Sequence, residues 1–125
     1  MSVIAKNSFD GQYRAFVKGS PEKVSELCDP SSLPDNFSTI LDSYARKGFR
    51  VIALAQKVLP SMNYRKTQSI LRERVESDLN FLGLLVMENR LKPETTDVIK
   101  KLNHCNVRTC MATGDNILTA ISVAR

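Results

Sequence analysis

The hydrophobic pattern of the chain changes near residue 89, and this change constrains the fold more than any other feature of the sequence. Two segments with helical spacing follow, Leu91–Cys105 and Asn116–Arg125, and the apolar run Val107–Ala112 separates them. Another apolar run, FLGLLVM, precedes them. A strand–helix–strand–helix succession is typical of a parallel sheet with crossover helices. We therefore predict a parallel α/β piece over residues 89–125.

The first 88 residues predict a different arrangement, an antiparallel sheet with helices packed on it, which makes this part α+β. The alternating segments SVIAKN and YRAFVKG predict two strands joined by a turn at Asp10-Gly11. Ser20 followed by Pro21 predicts the start of a short helix, because proline at the first helical position is already in the helical conformation.

Further patterns complete the prediction of elements. The run from Phe49 to Leu59 and the run FLGLLVM are expected to be buried strands. We also predict a helix that begins after Asp35 and stops at Gly48, and a polar helix around Gln68–Leu79. The last helix carries no stop signal, so we expect the chain to be a fragment of something larger.

The composition excludes several classes of protein. Of the 125 residues, 42% are hydrophobic and 25% are charged, which is typical of a folded globular chain. The longest apolar run is far shorter than the roughly 20 residues of a membrane-spanning helix, so we expect no direct membrane contact by this segment. The net charge of +5 comes from scattered basic residues without a stacking motif, which argues against a nucleic-acid partner. One histidine and three cysteines without CxxC spacing predict no metal site.

The stretch MATGDN, which ends at Asn116, lies where the predicted parallel strand passes into a helix. Open α/β sheets bind ligands in the crevice at this position. Gly114 would let a ligand approach the backbone, and the amides of a helix start favour an anion. Asp115 is unexpected there, because a carboxylate repels phosphate unless a cation, a water or a ribose hydroxyl lies between them. The alternative is that Asp115 or Asn116 only caps the helix.

Two basic residues are further candidates for nucleotide contact. Lys18 and Gly19 belong to KGSPE, at another strand-to-helix transition, where the ammonium could meet a nucleotide and the glycine could admit it. Arg50 is the only charge at the start of an apolar strand, so its guanidinium must lie at the rim, where its fork suits a phosphate. The alternatives are a solvated lysine before a capped helix and an arginine that only snorkels to water.

Four segments, in this order along the chain, resemble the P-type ATPases: KGSPE, GFRVIALA, ENRLKPET and MATGDNILTAISVAR. The resemblance covers essentially the whole chain. It implies the C-terminal part of the nucleotide-binding domain, residues 1–88, followed by a partial phosphorylation domain of the HAD-like type, residues 89–125. The segments SPEKVSELCDPSSLP and LGLLVMENRLKPET are most similar to the fifth class, whose lysosomal or vacuolar branch is associated with polyamine and cation transport.

The resemblance implies nucleotide contacts in the first part of the chain. Lys18 matches the lysine that lines the adenosine pocket of the family, and Gly19 follows it in the same motif. Arg50 matches the arginine that reaches the nucleotide phosphates.

The resemblance also implies roles in the second part. Thr113, Gly114 and Asp115 match the loop that lies beside the phosphorylated aspartate and the ATP phosphates, which gives Asp115 a supporting catalytic role. Asn89 and Lys92 align with the Asp and Arg that many members carry at the hinge between the two domains. This departure puts an Asp–Arg contact at the hinge in doubt, although Lys92 could still supply a positive charge.

The implied cofactors are ATP and Mg²⁺, with most Mg²⁺ ligands outside this chain. The implied partners are the other parts of the pump: the phosphorylation loop, the actuator domain and the membrane helices. The sequence contains neither DKTGT nor GDGxND, so it lacks the aspartate that is phosphorylated, and we expect no ATP hydrolysis by this fragment alone. The implied location is the cytosolic face of a multi-pass protein in a lysosomal, endosomal or vacuolar membrane. Two other functions stay open: a stand-alone, non-catalytic nucleotide-binding or regulatory module, and a basic nucleic-acid binder with salt-dependent retention.

Overall fold

A computed structural model describes residues 1–88, 90–114 and 117–124. The strands are β1 (Ser2–Lys6), β2 (Tyr13–Gly19), β3 (Arg50–Leu59) and β4 (Asn80–Met87). The helices are α1 (Pro21–Leu27), α2 (Phe37–Arg46), α3 (Tyr64–Ser69), α4 (Arg72–Val75), α5 (Thr95–His104) and α6 (Ile117–Ala124), and a short 3₁₀ helix spans Pro30–Ser32. The chain divides into two compact units, one of Met1–Leu41 with Val51–Leu85 and one of Asp42–Arg50 with Val86–Arg125.

The first unit is built on a four-stranded sheet in the order β1-β2-β3-β4. β1 pairs with β2 and β2 pairs with β3, both antiparallel. Successive side chains of a strand point to opposite faces, so β2 turns Ala15 and Val17 to the core, where they are buried. Phe16 and Lys18 point to the other face and are exposed. The prediction of an antiparallel sheet with helices in this part is confirmed.

The turn between β1 and β2 forms where the sequence predicted it. Gly11 has a φ of 70°, which glycine adopts without the steric cost that other residues meet. The Asp10 carboxylate accepts a hydrogen bond from the backbone N–H of Gln12 at 2.9 Å, and the Arg14 guanidinium donates to its other oxygen at 2.9 Å. These local bonds fix the loop and, through it, the register of the two strands.

Helix α1 closes the core against the sheet. It begins at Pro21, as predicted, although the Ser20 side chain makes no capping hydrogen bond within the described residues. Val24 is 2% exposed and Cys28 is 6% exposed. They form the main core cluster with the strand residues Val17, Ala53 and Ala55 and with Leu79, which directly precedes β4.

The end of α2 shows why a glycine was needed at position 48. Gly48 has a φ of 76°, and its N–H donates to the Ala45 carbonyl at 2.9 Å. The Phe49 N–H donates to the Tyr44 carbonyl at 3.1 Å, and the two rings are in contact with centroids 6.2 Å apart. This pair of bonds with an apolar contact is a Schellman motif, so the predicted stop at Gly48 is confirmed.

The predicted polar helix around Gln68–Leu79 was wrong as a single element. The chain forms α3 and α4 instead, with Ile70 and Leu71 extended between them. Leu79 leaves the helical pattern because it is fully buried in a parallel bridge with Cys28. Its N–H donates to the Leu27 carbonyl at 3.0 Å. Burial of this leucine therefore outweighs the local helical periodicity.

The second unit differs from its prediction in one element. The two helices are present as α5 and α6, but residues 107–112 form no strand in the structure. A parallel strand exists only through hydrogen bonds to neighbouring strands, and in the described part of the chain this segment pairs with none. The predicted parallel piece is therefore not shown. Thr119, on α6, is 2% exposed, and its hydroxyl donates to the Phe49 carbonyl at 3.1 Å.

Among the described residues, no helix is both long enough and apolar enough to cross a membrane.

Candidate nucleotide-binding site

Lys18, the predicted adenosine-pocket lysine, lies on the outer face of the sheet, where two backbone hydrogen bonds to Met1 hold it. Its N–H donates to the Met1 carbonyl at 2.9 Å, and its own carbonyl accepts from the Met1 amino group at 2.9 Å. In the ladder with β3, Lys18 lies opposite Leu54. The backbone around Lys18 is therefore fixed, while its long side chain extends into the solvent.

An apolar cavity of about 230 Å³ opens beside Lys18 on this face. The residues that line it belong to all four strands, except Met1, which precedes β1: Met1, Ser2, Val3, Phe16, Val17, Lys18, Leu54, Ala55 and Leu82. Among the described lining residues only Lys18 has a charged side chain, and the Met1 amino group adds a second positive charge. A compact apolar surface with positive charge at its edge suits a flat, uncharged ring that carries a polar substituent.

Three of the lining residues that belong to the strands are large apolar side chains in contact with solvent. Phe16 is 38% exposed, Leu82 is 51% exposed and Val3 is 54% exposed. Apolar groups gathered on a surface in this way mark a binding site more often than a chance arrangement. Sequence reasoning missed these residues, although Phe16 could have been found because it lies two positions from Lys18 on the same face of β2.

Gly19 has a packing reason to be glycine. A Cβ placed on it would come within 3.3 Å of the Val24 side chain, so the missing side chain lets α1 lie close to β2. Gly19 directly follows Lys18 in β2, so it faces the opposite side of the sheet, toward the core. The prediction that Gly19 admits a ligand stays a prediction.

Arg50 is exposed and is the first residue of β3, as the sequence predicted. It belongs to the second unit, as do Lys92, Thr113 and Gly114, whereas Lys18 and Gly19 belong to the first. The convergence of these residues on one nucleotide stays a prediction.

The segment before α6 holds the described part of the predicted phosphate loop. Thr113 and Gly114 are exposed and lie outside regular secondary structure. A Cβ on Gly114 would meet no atom of the described residues within 4 Å, so their packing gives no reason for a glycine here. Asp115, like the predicted hinge residue Asn89, lies outside the described residues. Lys92 is exposed before α5, and its carbonyl accepts from the Thr95 N–H at 3.0 Å.

Carboxylates of the first unit are stabilised in their charged form at three places. Hydrogen bonds from the Ser2 hydroxyl and from Arg72 lower the pKa of Glu76, whose side chain is 13% exposed. The pKa of Asp10 is lowered, chiefly by the Gln12 N–H, and that of Asp29 is lowered by the side chain and backbone of Ser31. None of these three carboxylates lines the cavity beside Lys18, so none of them neutralises the Lys18 ammonium there.

Comparison with known proteins decides the family. A family model described as "P-type ATPase, cytoplasmic domain N" matches residues 1–94, about three quarters of the chain and all of the first unit's sheet. The chain belongs to the P-type ATPases. The resemblance read from the four sequence segments is thereby confirmed.

The relatives of this P-type ATPase segment are transporters by name. Over 125 residues and the full chain, it is 50% identical to the vacuolar cation-transporting ATPase YPK9 of Saccharomyces cerevisiae and 50% identical to the probable cation-transporting ATPase 13A5 of Homo sapiens. It is 46% identical over 126 residues to the polyamine-transporting ATPase 13A3 of Mus musculus. The chain spans only 8 to 10% of the length of these relatives. Their names agree with the fifth-class resemblance.

Proposed function

We propose that the chain binds ATP as a cytosolic segment of a pump that couples ATP hydrolysis to the transport of cations or polyamines. The observation that carries this proposal is the apolar cavity beside Lys18, which lies inside the region matched by the nucleotide-binding domain of the family. The transported substrate class comes from the names of the three relatives above, which call them cation-transporting, probable cation-transporting and polyamine-transporting ATPases.

The cavity is matched to the base of the nucleotide rather than to the whole molecule. Its volume of about 230 Å³ lies below the roughly 300–1,000 Å³ of pockets that enclose a complete small ligand. The adenine ring would lie against Phe16, Leu54 and Leu82, where stacking on an aromatic ring contributes about 1–3 kcal/mol. The Lys18 ammonium would contact the polar edge of the adenosine, and the phosphates would extend away from the apolar surface.

The family resemblance assigns the phosphate contacts to Arg50, Thr113 and Gly114. Arg50 would donate its guanidinium fork to phosphate oxygens, and the Thr113–Gly114 backbone would approach them closely, because no side chain stands at position 114. Asp115 would act near Mg²⁺, whose charge removes the repulsion between a carboxylate and phosphate. Mg²⁺ supplies charge neutralisation of the transferred phosphoryl group in this chemistry. In the described residues no group of three His, Cys, Asp or Glu side chains could hold a metal, so we assign no further ligand to it here.

We propose that the phosphoryl group passes to an aspartate outside these 125 residues, since the DKTGT segment does not occur in them. The chain would then position the nucleotide without hydrolysing it. Its partners would be the phosphorylation loop, the actuator domain and the membrane helices of the same pump, on the cytosolic side of a lysosomal, endosomal or vacuolar membrane. One relative is vacuolar by name, which supports this location.

The domain boundary is also part of the proposal. We place the end of the nucleotide-binding domain at residue 88 and assign 89–125 to the phosphorylation domain, with Asn89 and Lys92 at the hinge. The family match ends nearby, at residue 94, and the second unit resumes at Val86. Residues 107–112 would become a parallel strand when neighbouring strands of the pump pair with them. Exposed apolar side chains of the second unit support such packing: Leu91, Val98, Ile99, Val107, Met111, Ile117 and Ile121.

Titration of the chain with ATP, followed by amide chemical shifts, tests the proposal. We expect the largest shifts at the residues lining the cavity, and a roughly tenfold weaker affinity for Lys18→Ala, because one hydrogen bond from a charged group is lost. Lys23→Ala is the matched control, since Lys23 is 76% exposed on α1 and pairs with Glu26 at 2.9 Å. Equal affinities of the two variants would contradict the site. Tight binding by the isolated chain would instead favour a stand-alone regulatory module.

A further inference from the structure

Ser77 follows two arginines at a spacing that protein kinases use to select their substrates. The sequence reads Arg72-Glu73-Arg74-Val75-Glu76-Ser77, with arginine five and three residues before the serine. Kinases discriminate among substrates by the charges that flank the acceptor, and basic residues on its N-terminal side fit an acidic substrate groove. The cavity proposed to bind the base of ATP does not include this segment.

The Ser77 hydroxyl already lies next to a fixed cation. The Lys57 ammonium is 3.3 Å from Ser77 Oγ and 2.7 Å from the Ser77 carbonyl oxygen, and it donates to both. It also reaches the Arg74 carbonyl at 3.5 Å. Because the Lys57 side chain is only 24% exposed and has three anchors on this loop, it stays in place when the hydroxyl changes.

A basic cavity of about 750 Å³ opens in front of the serine. Lys57, Lys66, Arg74 and Ser77 all line it. In the described part of the chain, no carboxylate pairs with Lys66 or Arg74. The cavity therefore has both room and positive charge for a phosphate.

Three carboxylates near the serine must be weighed against these cations. Glu76 is occupied by Arg72, whose Nε lies 2.9 Å from it. Asp78 lies 3.7 Å from the Lys57 ammonium but is 85% exposed, so it can turn to water. Glu73 is exposed on α4 and does not line the cavity. A phosphate on Ser77 would therefore meet a net positive charge.

We propose that Ser77 is a phosphorylation site whose phosphate is held in this cavity by Lys57 and Arg74. Ser77 Oγ attacks the γ-phosphorus of ATP in the kinase, the bond to the ADP leaving group breaks, and the hydroxyl proton passes to a base of the kinase. The new group carries about −1.5 to −2 charges at pH 7 and three acceptor oxygens. Lys57 then gives up its weak ion pair with Asp78 and donates charge-assisted hydrogen bonds to the phosphate oxygens.

The segment can reach a kinase because its regular structure is slight. Helix α4 has only four residues, and a helix of one turn has little stability of its own. Val75, 5% exposed, is its buried anchor, so the kinase would act on a locally opened state. This proposal stands independently of nucleotide binding by the chain.

Incubation of the purified 125-residue chain with ATP and a kinase that requires arginine three and five residues before serine tests the modification itself. Mass spectrometry should find one phosphoryl group, on Ser77, and none in Ser77→Ala. Arg74→Gln should lower kcat/KM about tenfold, the loss expected from one ion-pair contact to the kinase. Ser61→Ala is the matched control, because Ser61 lines the same cavity without arginines at these spacings. Absence of label, or label on Ser61 or Ser69 instead, would overturn the proposal.

A ³¹P NMR titration of the phosphorylated chain tests the cavity. The second pKa of phosphoserine, ordinarily about 6, should fall because Lys57 and Arg74 favour the dianion. Lys57→Gln should raise it by about one unit, whereas Lys23→Gln, far along the sequence on α1, should leave it unchanged. Equal pKa values in the wild-type and Lys57→Gln proteins would show that the cavity does not hold the phosphate.

Discussion

Replacing Phe16 by alanine should weaken nucleotide binding by this chain without unfolding it. The ring lies on the outer face of β2, lines the apolar cavity and is 38% exposed. It belongs to neither buried core cluster. Its removal should therefore cost far less stability than the roughly 3–5 kcal/mol of a fully buried phenylalanine.

The effect on affinity follows from the loss of one stacked base. Stacking of a base on an aromatic side chain contributes about 1–3 kcal/mol, which corresponds to a rise in Kd of about 5-fold to 150-fold. Phe9→Ala is the matched control, since it deletes the same ring from a side chain that is 99% exposed in the β1–β2 loop. Its Kd should stay within about twofold of the wild-type value.

Isothermal calorimetry with ATP and with AMP provides the comparison, and thermal unfolding of each variant checks that it is folded. Phe16→Ala should weaken both ligands by the same factor, because the ring contacts the base and not the phosphates. If Phe16→Ala and Phe9→Ala bind ATP equally well, the base does not occupy this cavity. If only ATP binding weakens, the ring must act on the phosphates, and the proposed orientation is reversed.

Two further predictions concern stability. Leu79→Ala should lower the free energy of unfolding, measured by urea denaturation, by about 2–5 kcal/mol, because Leu79 is fully buried. Leu71 is 64% exposed, so Leu71→Ala should change the free energy of unfolding by less than about 0.5 kcal/mol. Similar losses in the two variants would show that Leu79 does not belong to the core. Glu76 has a pKa below its ordinary value of about 4.5, so in acid the unfolded state binds more protons and stability falls as the pH drops through the lowered pKa. Glu76→Gln should remove this part of the acid dependence below about pH 4.5, and an unchanged slope would exclude the Ser2 hydrogen bond as its source.

Local signals predicted the fold where local hydrogen bonds decide it. The turn at Asp10-Gly11, the start of α1 at Pro21 and the end of α2 at Gly48 depend on residues within a few positions, and all three are confirmed. Leu79 shows the limit of such signals. Its spacing is helical, but a parallel bridge to Cys28, distant in sequence, places it in the core.

The strand predicted at residues 107–112 is not formed in the structure for a related reason. β-Branched and apolar residues make a segment suitable for a strand, but only hydrogen-bonding neighbours make it one. The described part of this chain provides none. The sequence pattern therefore identified a segment suited to a strand, but not the neighbouring strands with which it would pair.

The candidate site was predictable in part. Lys18 was a candidate from its place in KGSPE and from the family resemblance, and the alternation of YRAFVKG would have added Phe16. Val3 and Leu82 could not be found in this way, because their places in the cavity depend on the order of the strands across the sheet. Asp115 and Asn89 lie outside the described residues, so their predicted roles stay predictions.

Intermolecular nuclear Overhauser effects between ATP and the chain test the central claim most directly. The adenine protons H2 and H8 should show contacts to the side chains of Val3, Phe16, Leu54 and Leu82, and the ribose protons should lie near the Lys18 side chain. Contacts from the adenine to any other surface, with none to these four side chains, would contradict the assignment of the base to this cavity.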